Sequence, residues 1–278
     1  MKKISRRSFL AAAGLSVAAL ALTACGGSAS SVASSVASSA SSAAASTSAA
    51  AGELTTVEAG KLTMATNAAF PPYEMTTDAG DFEGIDIETA QAIADKLGLE
   101  LQIDDMDFDA ALLSVQQGKA DIVMAGVTVT DERKAVMDFS DSYATGIQSI
   151  IVPEGSDITS PDDLAGKKIG TQRGTTGYIY CSDDFGDENV VAYDDGLTAV
   201  QALNNGQVDA VVIDNAPAQE FIAANPGLKI LDTSYAEEDY AIGMAKGSSL
   251  EDAINAALEE LKADGTLQAI VDKYITAE

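Results

Sequence analysis

The chain has 278 residues, of which 46% are hydrophobic, so it can bury a sizeable core. Its 16 Lys and Arg residues stand against 43 Asp and Glu residues, and the net charge of -27 argues against binding the phosphates of nucleic acid. Histidine is absent, which excludes a Ser-His-Asp triad, a Cys-His pair and an imidazole metal site.

The first 25 residues have the pattern of a bacterial export signal. Basic residues precede an apolar run at 10–22 that is too short to span a bilayer comfortably. Residues 5–10 are similar to a twin-arginine signal, and residues 22–25 resemble a lipobox, whose cleavage leaves Cys25 as a lipidated first residue. The alternatives are an ordinary signal peptide with an incidental cysteine, or a permanent transmembrane helix. We expect residues 1–25 to be a signal peptide and Cys25 to be the lipidation site.

The next segment, residues 26–52, contains only Gly, Ser, Ala, Val and Thr. Without charges or large side chains it cannot bury a core, so we expect a disordered linker between the lipid and a globular body. Cys181 is the only other cysteine. If Cys25 is lipidated, Cys181 has no disulfide partner within the chain, and we expect it to be at least partly buried.

A first series of strands and helices follows the linker. Apolar spacing predicts a helix that Gly98 ends and a second helix that Gly118 ends. Each strand leads into a helix, which indicates a mostly parallel sheet. The predicted strands are 61–66, 99–103 and 121–125. The acidic segment 104–109 lacks the Gly and Glu that a calcium loop needs, so we expect no metal site.

A second series begins near residue 148 and is of similar length. It contains a Gly- and Thr-rich loop at 173–177, and Ser248 and Glu251 have the spacing of a helix capping box. The predicted elements are strands 149–152, 168–171, 208–213 and 240–244, a short helical turn at 161–164, and helices at 197–203, with Pro217 near the start of the next, after Ser248 and at 266–274. We therefore expect two α/β lobes, formed by residues 53–147 with 239–278 and by residues 148–238.

Beyond the signal the chain has two arginines, Arg133 and Arg173. Arg133 lies where a predicted strand ends and a helix begins, and the carboxyl ends of parallel strands are where α/β folds bind ligands. Its planar guanidinium matches a carboxylate, although a surface salt bridge is an alternative. Arg173 opens the Gly- and Thr-rich loop, whose N–H groups could bind an anion or simply form a turn.

Asp214 follows a predicted buried strand, where its carboxylate could pair with an ammonium group or cap the next helix. Phe70 and Phe108 each lie near the end of a strand. They could sandwich an apolar or amide side chain, or pack in the core.

Nine segments are informative when they are taken together in their order along the chain: 61–74, 82–88, 106–108, 125–133, 137–140, 162–167, 173–176, 209–214 and 264–266. They resemble the polar amino-acid-binding proteins of ABC importers, which belong to family 3 of the bacterial extracellular solute-binding proteins. The resemblance is to the lipoprotein form and spans roughly residues 55–276. It implies an α/β fold of the type II periplasmic-binding-protein kind, with two lobes, a hinge of two crossings and a ligand cleft between the lobes.

The same resemblance implies how the backbone groups of an amino acid are bound. Arg133 would bind the α-carboxylate, with help from Thr128 and the backbone at Thr176. Gly126 would offer its carbonyl, and Asp214 its carboxylate, to the α-ammonium group.

It also implies which residues surround the ligand side chain. Phe70 and Phe108 would flank it, and Asn67 and Gln172 would line the far end. Family members with cationic ligands often carry an acid at the position of Asn67, so its neutrality disfavours a Lys- or Arg-type ligand. Arg173 leaves a glutamate or aspartate ligand open.

We therefore expect a monomeric, extracytoplasmic receptor that is anchored to the membrane through Cys25. It would deliver a polar amino acid to an ABC transporter permease, without enzymatic activity, cofactor or nucleic acid partner. Two alternatives are a dehydratase or lyase in which Asp214 does the acid–base work, and the ligand-sensing lobe of a signalling system.

Overall fold

The computed structural model describes residues 54–275. The predicted signal peptide (1–25), its Cys25 and the predicted linker (26–52) lie outside the described residues. No helix in the described range is long and apolar enough to cross a membrane.

Strands and helices alternate along most of this range, in the order that the apolar spacing predicts. The strands are β1 Lys61–Thr66, β2 Ala69–Phe70, β3 Glu74–Thr76, β4 Phe82–Glu83, β5 Glu100–Asp105, β6 Ile122–Val123, β7 Met137–Phe139, β8 Ala144–Pro153, β9 Ile169–Gln172, β10 Val190–Tyr193, β11 Ala210–Asp214, β12 Leu228–Ile230, β13 Ala236–Tyr240 and β14 Gly243–Ala245. The α-helices are α1 Ile85–Leu97, α2 Phe108–Gln116, α3 Asp131–Lys134, α4 Thr176–Phe185, α5 Gly196–Asn204, α6 Asn215–Ala224, α7 Glu251–Ala263 and α8 Thr266–Tyr274.

The first lobe is built on a sheet with the strand order β5-β1-β6-β14-β7. Strand β1 pairs in parallel with β5 and β6, while β14 returns antiparallel from near the end of the chain. Helix α1 buries Ile87, Ala90 and Ala94 on one face and ends at Gly98, whose φ of 70° is left-handed. Strands β2, β3 and β4 follow β1 in the sequence and form a small separate sheet.

The second lobe is built on the strand order β10-β9-β11-β8-β12, with β13 also paired to β8. Strand β9 is parallel to β10 and β11, whereas β8 is antiparallel to its partners. Residues 150–152 of β8, Ile169 of β9 and the apolar residues of β11 are almost fully buried. Cys181 of α4 is buried in this core, as expected, and burial raises the pKa of its thiol.

Two antiparallel strands connect the lobes. After β7 the chain leaves the first sheet and enters the second sheet as β8. Strand β13 pairs with β8, and the chain then returns to the first sheet as β14. Their register places Ala144 opposite Tyr240. Gly146 is required here, because a Cβ atom would lie 2.5 Å from the Tyr240 ring. The predicted two-lobed α/β fold with two crossings is thus confirmed.

Three local predictions were wrong. Helix α7 begins at Glu251 without a side-chain cap; the Ser248 hydroxyl instead accepts the Leu250 N–H inside a preceding turn, so the capping box does not form. The strand predicted at 121–125 contracts to Ile122–Val123, although Asp121 and Met124 still donate their N–H groups to carbonyls of β1. The strand predicted at 240–244 is divided between the end of β13 and the first residues of β14, which belong to different sheets.

Candidate ligand-binding site

The cleft between the lobes contains a cavity that is lined by all nine residues predicted to bind the backbone groups of the ligand or to surround its side chain. The carboxyl ends of β1, β6, β9 and β11 and the first residues of α2 and α4 converge there. The predicted residues that line the cavity are Asn67, Phe70, Phe108, Gly126, Thr128, Arg133, Gln172, Thr176 and Asp214.

Arg133 forms one end of the cavity. Thr130 caps the short helix α3 by accepting the Arg133 N–H, which fixes where the side chain leaves the backbone. The guanidinium is buried and donates to Thr128 O at 2.8 Å and to Gly174 O at 3.1 Å, while its Cζ atom lies 5.4 Å from the centre of the Phe108 ring. Two of the five N–H donors of an arginine are thus used, and three remain for a ligand.

Helix α4 adds further donors at this end. Thr175 is its N-cap and accepts the Tyr178 N–H, so the helix begins at Thr176 beside the cavity. The first N–H groups of a helix have no acceptor within the helix, and the positive end of the helix dipole favours an anion. Burial lowers the pKa of Arg133, but an arginine remains charged at neutral pH. This end of the cavity can therefore bind a carboxylate.

Asp214 also lines the cavity and is only 2% exposed. Its Oδ1 accepts the Ala216 N–H at the start of α6, and its Oδ2 accepts the Ile147 N–H at 2.8 Å and the Tyr240 hydroxyl at 2.9 Å. Burial raises the pKa of Asp214 to about 6, and these hydrogen bonds oppose the rise. Asp214 therefore caps α6, and it also lines the cavity, so capping does not exclude the alternative that it pairs with an ammonium group.

Gly126 lines the cavity beside Phe70 and Tyr240. Its φ of 54° is left-handed, and a Cβ atom would lie 2.9 Å from the Phe70 ring. Only glycine therefore lets the backbone approach the two rings this closely.

The end of the cavity at Asn67 and Gln172 is lined by this uncharged pair of amides. Gln172 donates through Nε2 to Asn67 Oδ1 at 2.8 Å and to Asp194 O at 3.3 Å, and Asn67 Nδ2 donates to Met106 O at 3.0 Å. The Gln172 Oε1 acceptor and one Asn67 N–H are left over from these bonds. This end thus offers one acceptor and one donor to a ligand.

Arg173 does not reach the cavity. Its side chain is 54% exposed, with Nε 3.6 Å from an Asp194 carboxylate oxygen and Nη2 donating to Ala192 O. The expectation that Arg173 could bind an acidic ligand side chain is therefore wrong for this arrangement, and its loop contributes Thr175 and Thr176 instead.

A pair of buried acids, Glu74 and Asp86, was not predicted from the sequence. Glu74 lines the cavity, and both acids are fully buried. Burial raises the pKa of Asp86 to about 6, and the hydrogen bonds that its Oδ2 accepts from the Gly126 N–H at 3.0 Å and the Tyr143 hydroxyl at 2.8 Å oppose this rise. Burial and the Asp86 charge raise the pKa of Glu74 well above its usual range.

The only sequence signal for this pair is that each acid has apolar neighbours on both sides. Gln148, Tyr240 and Ile213 also line the cavity and were not predicted to do so. They reach it through the pairing of β8, β11 and β13, which the order of the segments does not reveal.

Comparison with known proteins identifies the family. Residues 62–277 match the model of "Bacterial extracellular solute-binding proteins, family 3". A probable histidine-binding protein of Neisseria gonorrhoeae is 32% identical over 275 residues, which cover 96% of this chain and 95% of that protein. An L-cystine-binding protein of Escherichia coli K12 is 33% identical over 226 residues, covering 80% and 85%.

A solved structure gives the same result. An ancestral arginine-binding protein bound to glutamine is 42% identical, with a TM-score of 0.75, over 78% of this chain and 99% of that one. With a family match over most of its length, the chain belongs to family 3 of the bacterial extracellular solute-binding proteins.

Proposed function

We propose that this protein captures a polar L-amino acid outside the cytoplasm and delivers it to the permease of an ABC transporter. One observation carries the proposal: Arg133 and Asp214 are 9% and 2% exposed in the same cavity, and neither forms an ion pair with another residue in the range 54–275. Buried charges without partners are costly. A zwitterion with its carboxylate at Arg133 and its ammonium at Asp214 supplies both partners.

The ligand side chain is uncharged and polar in this proposal. The leftover acceptor of Gln172 and donor of Asn67 match the two hydrogen-bonding groups of a carboxamide. Phe70 and Phe108 line the cavity and would contact the aliphatic part of such a side chain. Glutamine fits this description, and it is the ligand in the ancestral protein's structure.

Capture works by hinge closure in this proposal. The lobes are residues 53–147 with 239–278 and residues 148–238, and they move about β8 and β13. Arg133, Asn67 and Thr128 come from the first lobe, while Asp214, Gln172 and Thr176 come from the second. A ligand bound to one lobe therefore recruits the other.

The remaining parts of the proposal concern the whole chain. A monomer is held at the outer face of the cell membrane by lipidated Cys25 and the linker 26–52. It binds without catalysis, because the Asp214 carboxylate accepts three hydrogen bonds and serves as a fixed charge, not as a proton donor.

A thermal-shift screen of the protein against the common L-amino acids tests this function. A ligand at about 100 times its Kd adds about 2.7 kcal/mol, which for a protein of this size raises the melting temperature by roughly 5–10 °C. We expect glutamine or another uncharged polar amino acid to give the largest rise. A flat response across all amino acids would refute the function.

Replacing Asn67 with aspartate should redirect the site towards cationic side chains. Asn67 is 9% exposed at the side-chain end of the cavity, so the new carboxylate would face a ligand in a poorly solvated place. A hydrogen bond to a charged group contributes about 1.5–3 kcal/mol, or roughly 10- to 100-fold in affinity. We expect the affinity for L-arginine to rise by this factor and that for L-glutamine to fall, as measured by calorimetry.

The matched control is Asn205→Asp on the surface of the second lobe, where the side chain is exposed. It should leave the affinities for both amino acids unchanged. If the ratio of the glutamine affinity to the arginine affinity in the N67D variant equals that of the wild type, Asn67 does not contact the ligand side chain.

A further inference from the structure

A buried carboxylate in β13 joins the two lobes at the edge of the cavity. Glu238 is 6% exposed, and its Oε2 accepts three hydrogen bonds. Thr128 Oγ1 donates at 3.0 Å from the first lobe, Thr176 Oγ1 at 2.9 Å from the start of α4, and Gln148 Nε2 at 3.1 Å from β8. A single carboxylate oxygen thus accepts hydrogen bonds from both lobes and from strand β8 of the hinge.

These bonds determine what the two threonine hydroxyls can do. A hydroxyl has one proton and two lone pairs, and both hydroxyls give their proton to Glu238. Thr128 Oγ1 and Thr176 Oγ1 lie 3.5 Å apart and both residues line the cavity, yet neither hydroxyl has a proton left for a ligand. Towards the ligand they can only accept hydrogen bonds.

This restriction changes the role expected of Thr128. Its hydroxyl cannot donate to a ligand carboxylate while Glu238 holds its proton, although it can accept from an ammonium group. Thr128 N–H makes no hydrogen bond to another residue in the described range, so the backbone of Thr128 keeps a donor for the carboxylate.

The negative charge of Glu238 also favours an ammonium group over a carboxylate beside the two threonines. It lies close enough to Arg133 to favour the charged guanidinium, and it carries the same sign as a ligand carboxylate. An ammonium group beside the two hydroxyls is therefore attracted to Glu238 and can donate to both hydroxyl oxygens. A ligand without an ammonium group leaves both oxygens without a donor.

We propose that Glu238 is a positioning residue that holds the hydroxyl protons of Thr128 and Thr176, so that the closed cleft selects ligands with an α-ammonium group. This inference rests on the proposed function. It concerns a residue that does not itself line the cavity and was not among the predicted ligand-binding residues.

The test compares the affinities for two probes in the whole chain. One probe is L-glutamine, and the other is glutaramic acid, which is glutamine without the α-ammonium group; if the screen finds a tighter amino acid, that amino acid and its des-amino analogue are used. Calorimetry, with competition for the weaker probe, gives the ratio of the two affinities. We expect Glu238→Ala to lower this ratio by about tenfold or more, because the freed hydroxyls can then donate to a carboxylate.

Two further variants keep the test independent of folding. Glu238→Gln retains one acceptor oxygen and should recover part of the ratio. If Glu238→Ala does not fold, the double variant Thr128→Val/Thr176→Val removes the two hydroxyls that would accept from an ammonium group, and it should also lower the ratio. Glu237→Gln, an exposed neighbour on β13, is the matched control and should leave both affinities within about twofold.

The outcomes separate this inference from the proposed function. A ratio that stays at the wild-type value in Glu238→Ala, with both affinities reduced in proportion or unchanged, would overturn the role of Glu238 alone. A wild-type protein that binds no amino acid would overturn the proposed function as well.

Discussion

Replacement of Arg133 by alanine should abolish measurable amino-acid binding while the fold stays intact. The guanidinium is buried at one end of the cavity with three N–H donors left for a ligand, and the start of α4 cannot replace its full charge. Removing one partner of a buried charge pair typically costs about 3–5 kcal/mol, which corresponds to a loss of roughly 150- to 5,000-fold in affinity. Isothermal titration calorimetry measures the loss, and circular dichroism checks the fold.

Arg173→Ala is the matched control for this prediction. Arg173 lies three residues before α4, is 54% exposed and points to Asp194, so its removal should change the affinity by less than about twofold. Near-normal binding by the Arg133→Ala variant would contradict the assignment of the carboxylate end. Equal losses in both variants would show that general charge, and not the buried guanidinium, attracts the ligand.

Asp214→Asn should weaken binding nearly as strongly, through the other end of the ligand. Asparagine keeps the size of the side chain and can still cap α6, but it removes the charge that faces the ammonium group. We expect the affinity to fall by about 100-fold or more, in the range seen when a buried charge loses its partner. Asp209→Asn, an exposed acid at the other end of the same strand, should bind like the wild type.

The pH dependence of binding should separate charge from packing at this position. The folded protein without ligand has an Asp214 pKa of about 6, raised by burial, whereas the ammonium group of a ligand requires the ionised form. Affinity should therefore be constant from about pH 7 to 8 and fall as the pH drops below 6, approaching tenfold per unit.

A non-titrating ligand side chain and the absence of histidine from the chain keep this profile free of imidazole effects. The Asp214→Asn variant should lose the acidic fall. A profile that remains the same in this variant would assign the titration to another group, of which the buried Glu74–Asp86 pair is one candidate.

The general plan of the fold could be predicted from local patterns. Apolar spacing and helix-ending glycines such as Gly98 act within a few residues, so α1, α5 and α8 lie close to where the sequence predicts them. Asp214 lies at the carboxyl end of β11, where α/β folds bind ligands, whereas Arg133 lies in α3, well after the end of β6; both line the cavity.

Residues whose orientation depends on strand pairing could not be predicted in this way. Glu238 lies between two exposed acids, Glu237 and Asp239, and nothing in that run distinguishes it. Only the pairing of β13 with β8 turns it inward to Thr128 and Thr176. The predicted cap at Ser248 failed because its hydroxyl accepts the Leu250 N–H in the turn that precedes α7.

The most direct measurement of the central claim is a calorimetric comparison of three ligands that share one side chain. These are L-glutamine, glutaramic acid without the ammonium group, and 4-aminobutanamide without the carboxylate. If Arg133 and Asp214 hold the two ends of an α-amino acid, glutamine should bind with one-to-one stoichiometry and each analogue should be weaker by about 100-fold or more. Tight binding of either analogue would show that one buried charge does not contact the ligand, and would contradict this account.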